Sequence, residues 1–121
     1  MQPDVVLEAP IKTIGELNDR SYWAARHRRR KFQRDQLGWM LRQHFKPKLP
    51  CTVVCTRIAP RKLDKEDNLP SAFKAIRDAV AEWLGVDDGG DQVEWMYDQT
   101  KGAPKFYGIR IEIYGSKDDQ A

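Results

Sequence analysis

The sequence predicts an α+β fold in a single domain, with a mixed sheet of about four strands and two main helices. Four segments have the composition or the two-residue alternation of β-strands, and two longer segments repeat apolar residues at helical spacing. The 121 residues are enough for one modest hydrophobic core. An apolar fraction of 40% and a charged fraction of 32% are typical of a globular protein and exclude a wholly disordered chain.

The first half of the chain contains a short predicted strand followed by a long predicted helix. Residues 4–9 contain three consecutive apolar residues at positions 5–7, which predict a short strand closed by Pro10. Residues 21–45 are predicted to be helical, and their second half places apolar side chains on one stripe that faces the core. Two prolines in residues 46–50 end this helix. The stripe consists of Leu37, Met40, Leu41 and either His44 or Phe45.

The second half is predicted to form a strand, a helix and a β-hairpin. Cys51–Ala59 mixes apolar and β-branched residues with little polar alternation, which indicates a central strand buried on both faces. Residues 71–84 have apolar side chains at helical spacing, and Gly85 suits the left-handed end of a helix. Residues 92–99 and 105–114 alternate apolar with polar side chains, and we predict that they pair as a hairpin.

Charge is distributed unevenly along the single predicted domain, residues 1–121. The region 1–50 is basic, 51–114 forms the strand, helix and hairpin core, and 115–121 is a tail expected to fray. Through Lys62 the chain has 14 lysines and arginines against five acidic residues, and from there on it has seven against 13. The basic part of the chain favours binding to a polyanion, and the acidic part favours binding to a cation.

Neither a membrane nor secretion is indicated. No run of 18 apolar residues is present, and the N-terminus lacks a charged-then-apolar signal, so we expect a cytoplasmic protein with no membrane partner. Cys51 and Cys55 stand four residues apart on one predicted strand. At about 3.3 Å per residue they are about 13 Å apart, too far for a disulfide, so we predict two buried thiols.

Dense positive charge on the first half of the long helix predicts contacts to nucleic-acid phosphates. Such contacts give affinity without sequence preference and a steep dependence on salt. The alternative is a solvated basic helix face. Tyr22 and Trp23 beside it either stack on an unpaired base or anchor the core. The candidate DNA-binding residues are Arg26, Arg29, Arg30 and Arg34 on this helix and Lys62 after the next strand.

Acidic residues gather on two predicted loops at the ends of the second helix, residues 61–70 and 86–88. Carboxylates from separate loops repel one another unless a cation holds them, and a hard divalent metal ion is the usual cation. The alternative is a set of solvated turn and cap residues. The acidic residues concerned are Asp64, Glu66, Asp67, Asp87 and Asp88.

The order of these features resembles the RusA family of Holliday junction resolvases. A basic residue, aspartates running into Asn68 and Leu69, a helix with Lys-Ala and Asp-Ala steps, and an Asp-Asp pair before a valine-led strand carry the resemblance from about residue 57 to residue 114. The resemblance implies a homodimeric endonuclease that depends on Mg²⁺, for which Mn²⁺ can substitute. Its implied substrate is a four-way DNA junction, nicked on two symmetric strands.

The resemblance also implies metal ligands. Asp67 and Asp88 match two of the family's aspartates. The family's first aspartate stands two positions before the second, where this chain has Lys65, so either Asp64 or Glu66 provides that carboxylate.

Asp87 is a further candidate ligand, and Lys74 matches the family's helix lysine, which implies a catalytic role in holding a phosphate. The alternative for Lys74 is an ion pair with Asp78. Two other functions compete with the nuclease: a non-catalytic nucleic-acid-binding protein of the same fold, and a small assembly or regulatory protein whose basic helix binds an acidic partner.

Overall fold

A computed structural model describes residues 2–15, 22–64 and 68–117 of the chain. In these residues one mixed sheet of four strands packs against the helices, so the predicted α+β class is confirmed. Most of the predicted tail, residues 118–121, lies outside the described residues. The elements in chain order are β1 Val5–Ala9, α1 Trp23–Leu41, β2 Cys51–Ala59, α2 Asn68–Ala72, α3 Lys74–Leu84, β3 Val93–Lys101 and β4 Gly108–Tyr114.

The sheet has the strand order β1-β4-β2-β3, which corrects the predicted hairpin. β3 pairs parallel to β2, and β4 pairs antiparallel to the other side of β2, so β2 separates the two strands expected to be neighbours. Their connection crosses the end of β2, where Gly102 N donates to Ala59 O at 2.9 Å. A Cβ on Gly102 would lie 2.9 Å from Ile58 Cγ2, so the crossing requires glycine at this position.

β2 is an interior strand, but only one of its faces is fully buried. Its side chains alternate between buried and partly exposed along the whole strand, whereas burial on both faces was predicted. The buried face belongs to the core between the sheet and the two long helices. The prediction was wrong because threonine and valine also suit a partly exposed face, and composition alone does not reveal where the helices lie.

α1 contributes to the core through a narrow face. Leu37 and Leu41 are fully buried, as the predicted stripe requires. Phe45 is 97% exposed and lies beyond the end of the helix, so the stripe ends earlier than predicted. Across the described ranges, no helix is both long and apolar enough to cross a lipid bilayer.

The helix predicted over residues 71–84 is divided in the structure. α2 begins at Asn68, and Phe73, whose side chain is fully buried, separates it from α3. α3 ends as predicted at Gly85, which has a left-handed φ of 77° and donates its N–H to Ala81 O at 2.9 Å. The buried Phe73 therefore fixes how α2 and α3 are placed on the sheet.

Both cysteines are free and buried, as predicted. They lie on the core face of β2, two of its five buried positions. Burial raises the pKa of the Cys55 thiol to about 12 and also raises that of Cys51. Neither thiol is therefore ionised at neutral pH.

A buried arginine joins the N-terminal segment to the loop after β2. Arg57 Nε donates to Thr13 O at 3.3 Å and to Thr13 Oγ1 at 3.2 Å, while Nη2 donates to Thr13 O at 3.2 Å. Arg57 Nη1 donates to Arg61 O at 2.7 Å. Burial lowers the pKa of this guanidinium. Arg57 therefore holds the start of the first acidic loop against the sheet.

We expect Arg57→Met to lower the free energy of unfolding by about 3 kcal/mol, because the buried carbonyl oxygen of Thr13 and the partly buried one of Arg61 lose their donor. Urea denaturation followed by circular dichroism measures the change. Arg28→Met removes an exposed arginine from α1 and should change stability by less than about 0.5 kcal/mol. Equal stability of the two variants would show that Arg57 does not anchor this loop.

Candidate functional site

The first acidic loop is fixed to the end of β3. Leu63 N donates to Gln99 Oε1 at 2.9 Å, and Gln99 Nε2 donates to Leu63 O at 2.7 Å. The next residue, Asp64, accepts from Asn68 N at 3.2 Å and from Asn68 Nδ2 at 2.5 Å, so its carboxylate caps the start of α2. Each carboxylate oxygen of Asp64 accepts one of these two bonds, so the carboxylate is held in a fixed orientation at the start of α2.

The second acidic loop is fixed to β3 and α3 through Asp88. Trp95 Nε1 donates to Asp88 O at 2.9 Å, and Arg77 Nη2 donates to the same oxygen at 3.0 Å. Arg77 also lies 3.6 Å from Asp88 Oδ2, with its guanidinium 4.8 Å from the centre of the Trp95 ring. The carboxylate of Asp88 is 38% exposed, so it is oriented and still accessible to a ligand.

Asp87 has a local role in the same loop. Its side chain is exposed, and Oδ1 accepts from Gly89 N at 3.2 Å, which is an Asx-turn contact. The carboxylate of Asp87 therefore supports the turn, whereas that of Asp88 faces Arg77. The structure favours Asp88 over Asp87 as the residue of this pair that belongs to the site.

Both acidic loops meet the same face of β3, which is an edge strand. Their anchors, Trp95 and Gln99, are four residues apart, or about 13 Å along the strand. Tyr97 lies between them and accepts a hydrogen bond from Arg77 at 2.8 Å. Burial raises the pKa of the Tyr97 hydroxyl, although the charge of Arg77 opposes this shift.

The described residues contain no group of three His, Cys, Asp or Glu side chains that could hold a metal ion. Asp67 and Glu66 lie outside the described residues, so their predicted roles stay predictions. Asp64 and Asp88 provide carboxylate oxygen atoms, which are the hard ligands that Mg²⁺ prefers. The ligand atoms of these two residues are therefore of the type that binds a divalent metal ion.

The structure places Lys74, the first residue of α3, in a groove between α1 and α3. In the described part of the chain its ammonium makes no ion pair with Asp78 or with the two site aspartates. We call this space, of about 190 Å³, the α1–α3 groove. It is lined by His27, Arg30, Lys31, Arg34, Lys74, Ala75 and Asp78.

The predicted DNA-binding residues do not share one environment. Arg26, Arg29 and Arg30 are half-buried and have interaction partners, whereas Arg34 is exposed in the α1–α3 groove. Lys62 is exposed two residues before Asp64. The basic residues therefore lie both on α1 and beside the first acidic loop.

Tyr22 and Trp23 are surface residues at the start of α1. They are 72% and 63% exposed, and their ring centroids are 6.0 Å apart. The alternative that they anchor the core is therefore wrong. Stacking on a base stays a prediction.

Sequence reasoning missed three side chains that position the acidic loops. Gln99 had a readable signal, because it continues the inward-facing alternation of Val93, Trp95 and Tyr97 with a polar side chain. Arg57 and Arg77 had none, since their partners are distant in sequence or are backbone oxygens.

The molecule thus presents hard carboxylate oxygens at the edge of β3 and a basic groove between its long helices. Metal-dependent phosphodiester hydrolysis uses carboxylates that bind the cation and basic side chains that bind phosphate. No protein-family model matches this chain, and a comparison with curated proteins also finds no match.

Proposed function

We propose that this protein is a metal-dependent endodeoxyribonuclease of the RusA type, which cuts branched DNA and takes the Holliday junction as its substrate. One observation carries the proposal: the two separate loops that carry Asp64 and Asp88 are anchored, through Leu63 and Asp88 O, to the same face of one edge strand. Their order around α3 is also the order in which the resemblance places the metal ligands. Basic residues on α1 and at Lys62 supply the charge that DNA requires.

The proposed metal ligands are Asp67 and Asp88, with Asp64 or Glu66 as the third. When bound, Mg²⁺ supplies an activated water and neutralises charge on the scissile phosphate. The chain's own contribution is orientation: Asn68 donates to the carboxylate of Asp64, and Arg77 faces that of Asp88.

We infer a homodimer as the active form. A four-way junction requires two nicks on strands of like polarity, and each protomer has one pair of acidic loops. Two copies related by a two-fold axis match the symmetry of the junction. Size-exclusion chromatography with light scattering, with and without junction DNA, tests this part of the proposal.

The decisive experiment is cleavage of a synthetic four-way junction by the wild-type chain with Mg²⁺ or Mn²⁺. We expect symmetric nicks that disappear with EDTA and in Asp67→Asn, while a linear duplex of the same sequence is cut at least about tenfold more slowly. Nicks that persist in EDTA would contradict the metal-dependent mechanism. Cleavage of both DNAs at equal rates would contradict the junction preference.

A non-catalytic nucleic-acid-binding protein is the second candidate. Asp64 already has a structural role as the cap of α2, and Lys65 stands where the family has a carboxylate. Junction binding without nicks under either metal would favour this candidate. Failure to bind any nucleic acid would instead favour an assembly or regulatory protein.

A further inference from the structure

The α1–α3 groove gathers cations from two helices around one carboxylate. Arg30 and Arg34 are one helical turn apart on α1, and Lys74 faces them from the start of α3. Asp78 is the one acidic residue among the groove's described lining. Because the surrounding charges have the same sign, an anion bound between the helices would relieve their repulsion.

Two of these cations are available for a ligand. Within the described residues, Arg34 and Lys74 have no hydrogen bond or ion pair, whereas Lys31 forms a 2.7 Å ion pair with Asp35. The volume of about 190 Å³ equals roughly six water molecules, which is enough for a phosphate group with part of its hydration.

The shape of the basic surface favours a nucleic-acid strand over a free ion. The groove follows α1 from His27 to Arg34, about 10 Å at 1.5 Å per residue. Successive phosphates of one DNA strand are at least the 3.4 Å axial rise apart, so a strand along this length presents more than one of them. A single inorganic phosphate would engage only one part of it.

We propose that the α1–α3 groove is a phosphate seat for nucleic acid, separate from the acidic edge of β3, in which Arg34 and Lys74 clamp a backbone phosphate from opposite sides. The choice of nucleic acid as the occupant rests on the proposed function. It gives Lys74 a binding role shared with α1, in place of the catalytic role implied by the resemblance.

The α1–α3 groove is joined to the first acidic loop through α2 and the start of α3. Asp64 caps α2, and Lys74 begins α3 just beyond the buried Phe73. Leu69 of α2 is also buried, so α2 and the start of α3 are both fixed to the core. A phosphate held by Lys74 therefore sets the position of the DNA strand relative to Asp64.

Fluorescence anisotropy with a labelled four-way junction in EDTA tests the seat without cleavage. We expect Arg34→Gln and Lys74→Gln each to weaken binding about five- to twentyfold at 0.15 M salt and to reduce the salt slope by about one. If both side chains hold one phosphate, the double variant should lose less than the product of the single losses. Arg28→Gln, an exposed arginine of α1 outside the groove, should change affinity less than about threefold.

Thermal unfolding of each variant shows whether it is folded, and inorganic phosphate provides a competing ligand. Losses in the groove variants no larger than that of Arg28→Gln would overturn the proposal. So would stabilisation by inorganic phosphate that depends on Lys74 while DNA binding does not. If the wild-type protein nicks no junction but the groove variants lose DNA affinity, the nuclease proposal fails and the phosphate-binding role of the groove stands. If the wild-type protein nicks the junction but the groove variants bind DNA normally, the nuclease proposal stands and the role of the groove fails.

Discussion

Asp88→Asn is expected to lower the single-turnover rate of junction cleavage by about a thousandfold or more, while junction affinity changes less than about threefold. Asparagine keeps the size of the side chain and leaves the bonds from Trp95 and Arg77 to the backbone oxygen of residue 88 intact. It removes the negative charge that binds a divalent metal ion. The loss of a metal interaction worth several kcal/mol corresponds to a decrease in rate of about a thousandfold.

Asp87→Asn is the matched control, because it makes the same substitution one residue earlier in the same loop. Its carboxylate accepts from Gly89 N, and an asparagine oxygen can accept the same bond. We expect its cleavage rate to stay within about threefold of wild type. Mn²⁺ binding followed by electron paramagnetic resonance gives a readout independent of activity, and it should weaken only in Asp88→Asn. Equal losses in both variants would mean that the charge of the loop matters rather than one ligand.

Local sequence patterns predicted whether a segment is a helix or a strand better than they predicted which strands pair with each other. Alternation in residues 92–99 and 105–114 correctly indicated two strands with one face more buried than the other. It could not show that β2 lies between them, because alternation reports burial and carries no information on pairing partners. The close approach of Gly102 to β2 depends on tertiary contacts that a single sequence does not reveal.

For the candidate site as well, the sequence predicted local positions but not tertiary neighbours. The position of Asp64 shortly before a helix follows from sequence order, since the apolar spacing of the next segment predicts that helix. The environment of Lys74 does not follow from sequence order, because the docking of α1 against α3 decides which side chains it meets. The partners of Arg77 come from a loop and from β3, and they become neighbours only after the sheet has formed.

Arg77→Met is expected to lower the free energy of unfolding by about 3 kcal/mol and to reduce cleavage per folded molecule by about 10- to 100-fold. Methionine keeps most of the apolar volume but leaves Tyr97 Oη without its donor and Asp88 O with only the bond from Trp95, and each lost bond from a charged donor costs about 1.5–3 kcal/mol. Under the proposed function Arg77 is a positioning residue, because it would act on a bound metal ion only through Asp88. A displacement of about 1 Å at a reacting group is enough for a loss of this size in rate.

Arg110→Met provides the control on stability, since Arg110 is 45% exposed and its contacts to Glu8 and Glu112 are 3.9 and 3.5 Å long. Such surface pairs are worth less than about 1 kcal/mol. Arg77→Lys separates position from charge: it restores a cation but cannot donate to Tyr97 and Asp88 in the same forked geometry, so we expect partial recovery of stability and little recovery of rate. If Arg77→Met loses stability yet cleaves at the wild-type rate per folded molecule, Arg77 only supports the fold. The orientation of Asp88 would then have to come from the Trp95 bond to its backbone oxygen.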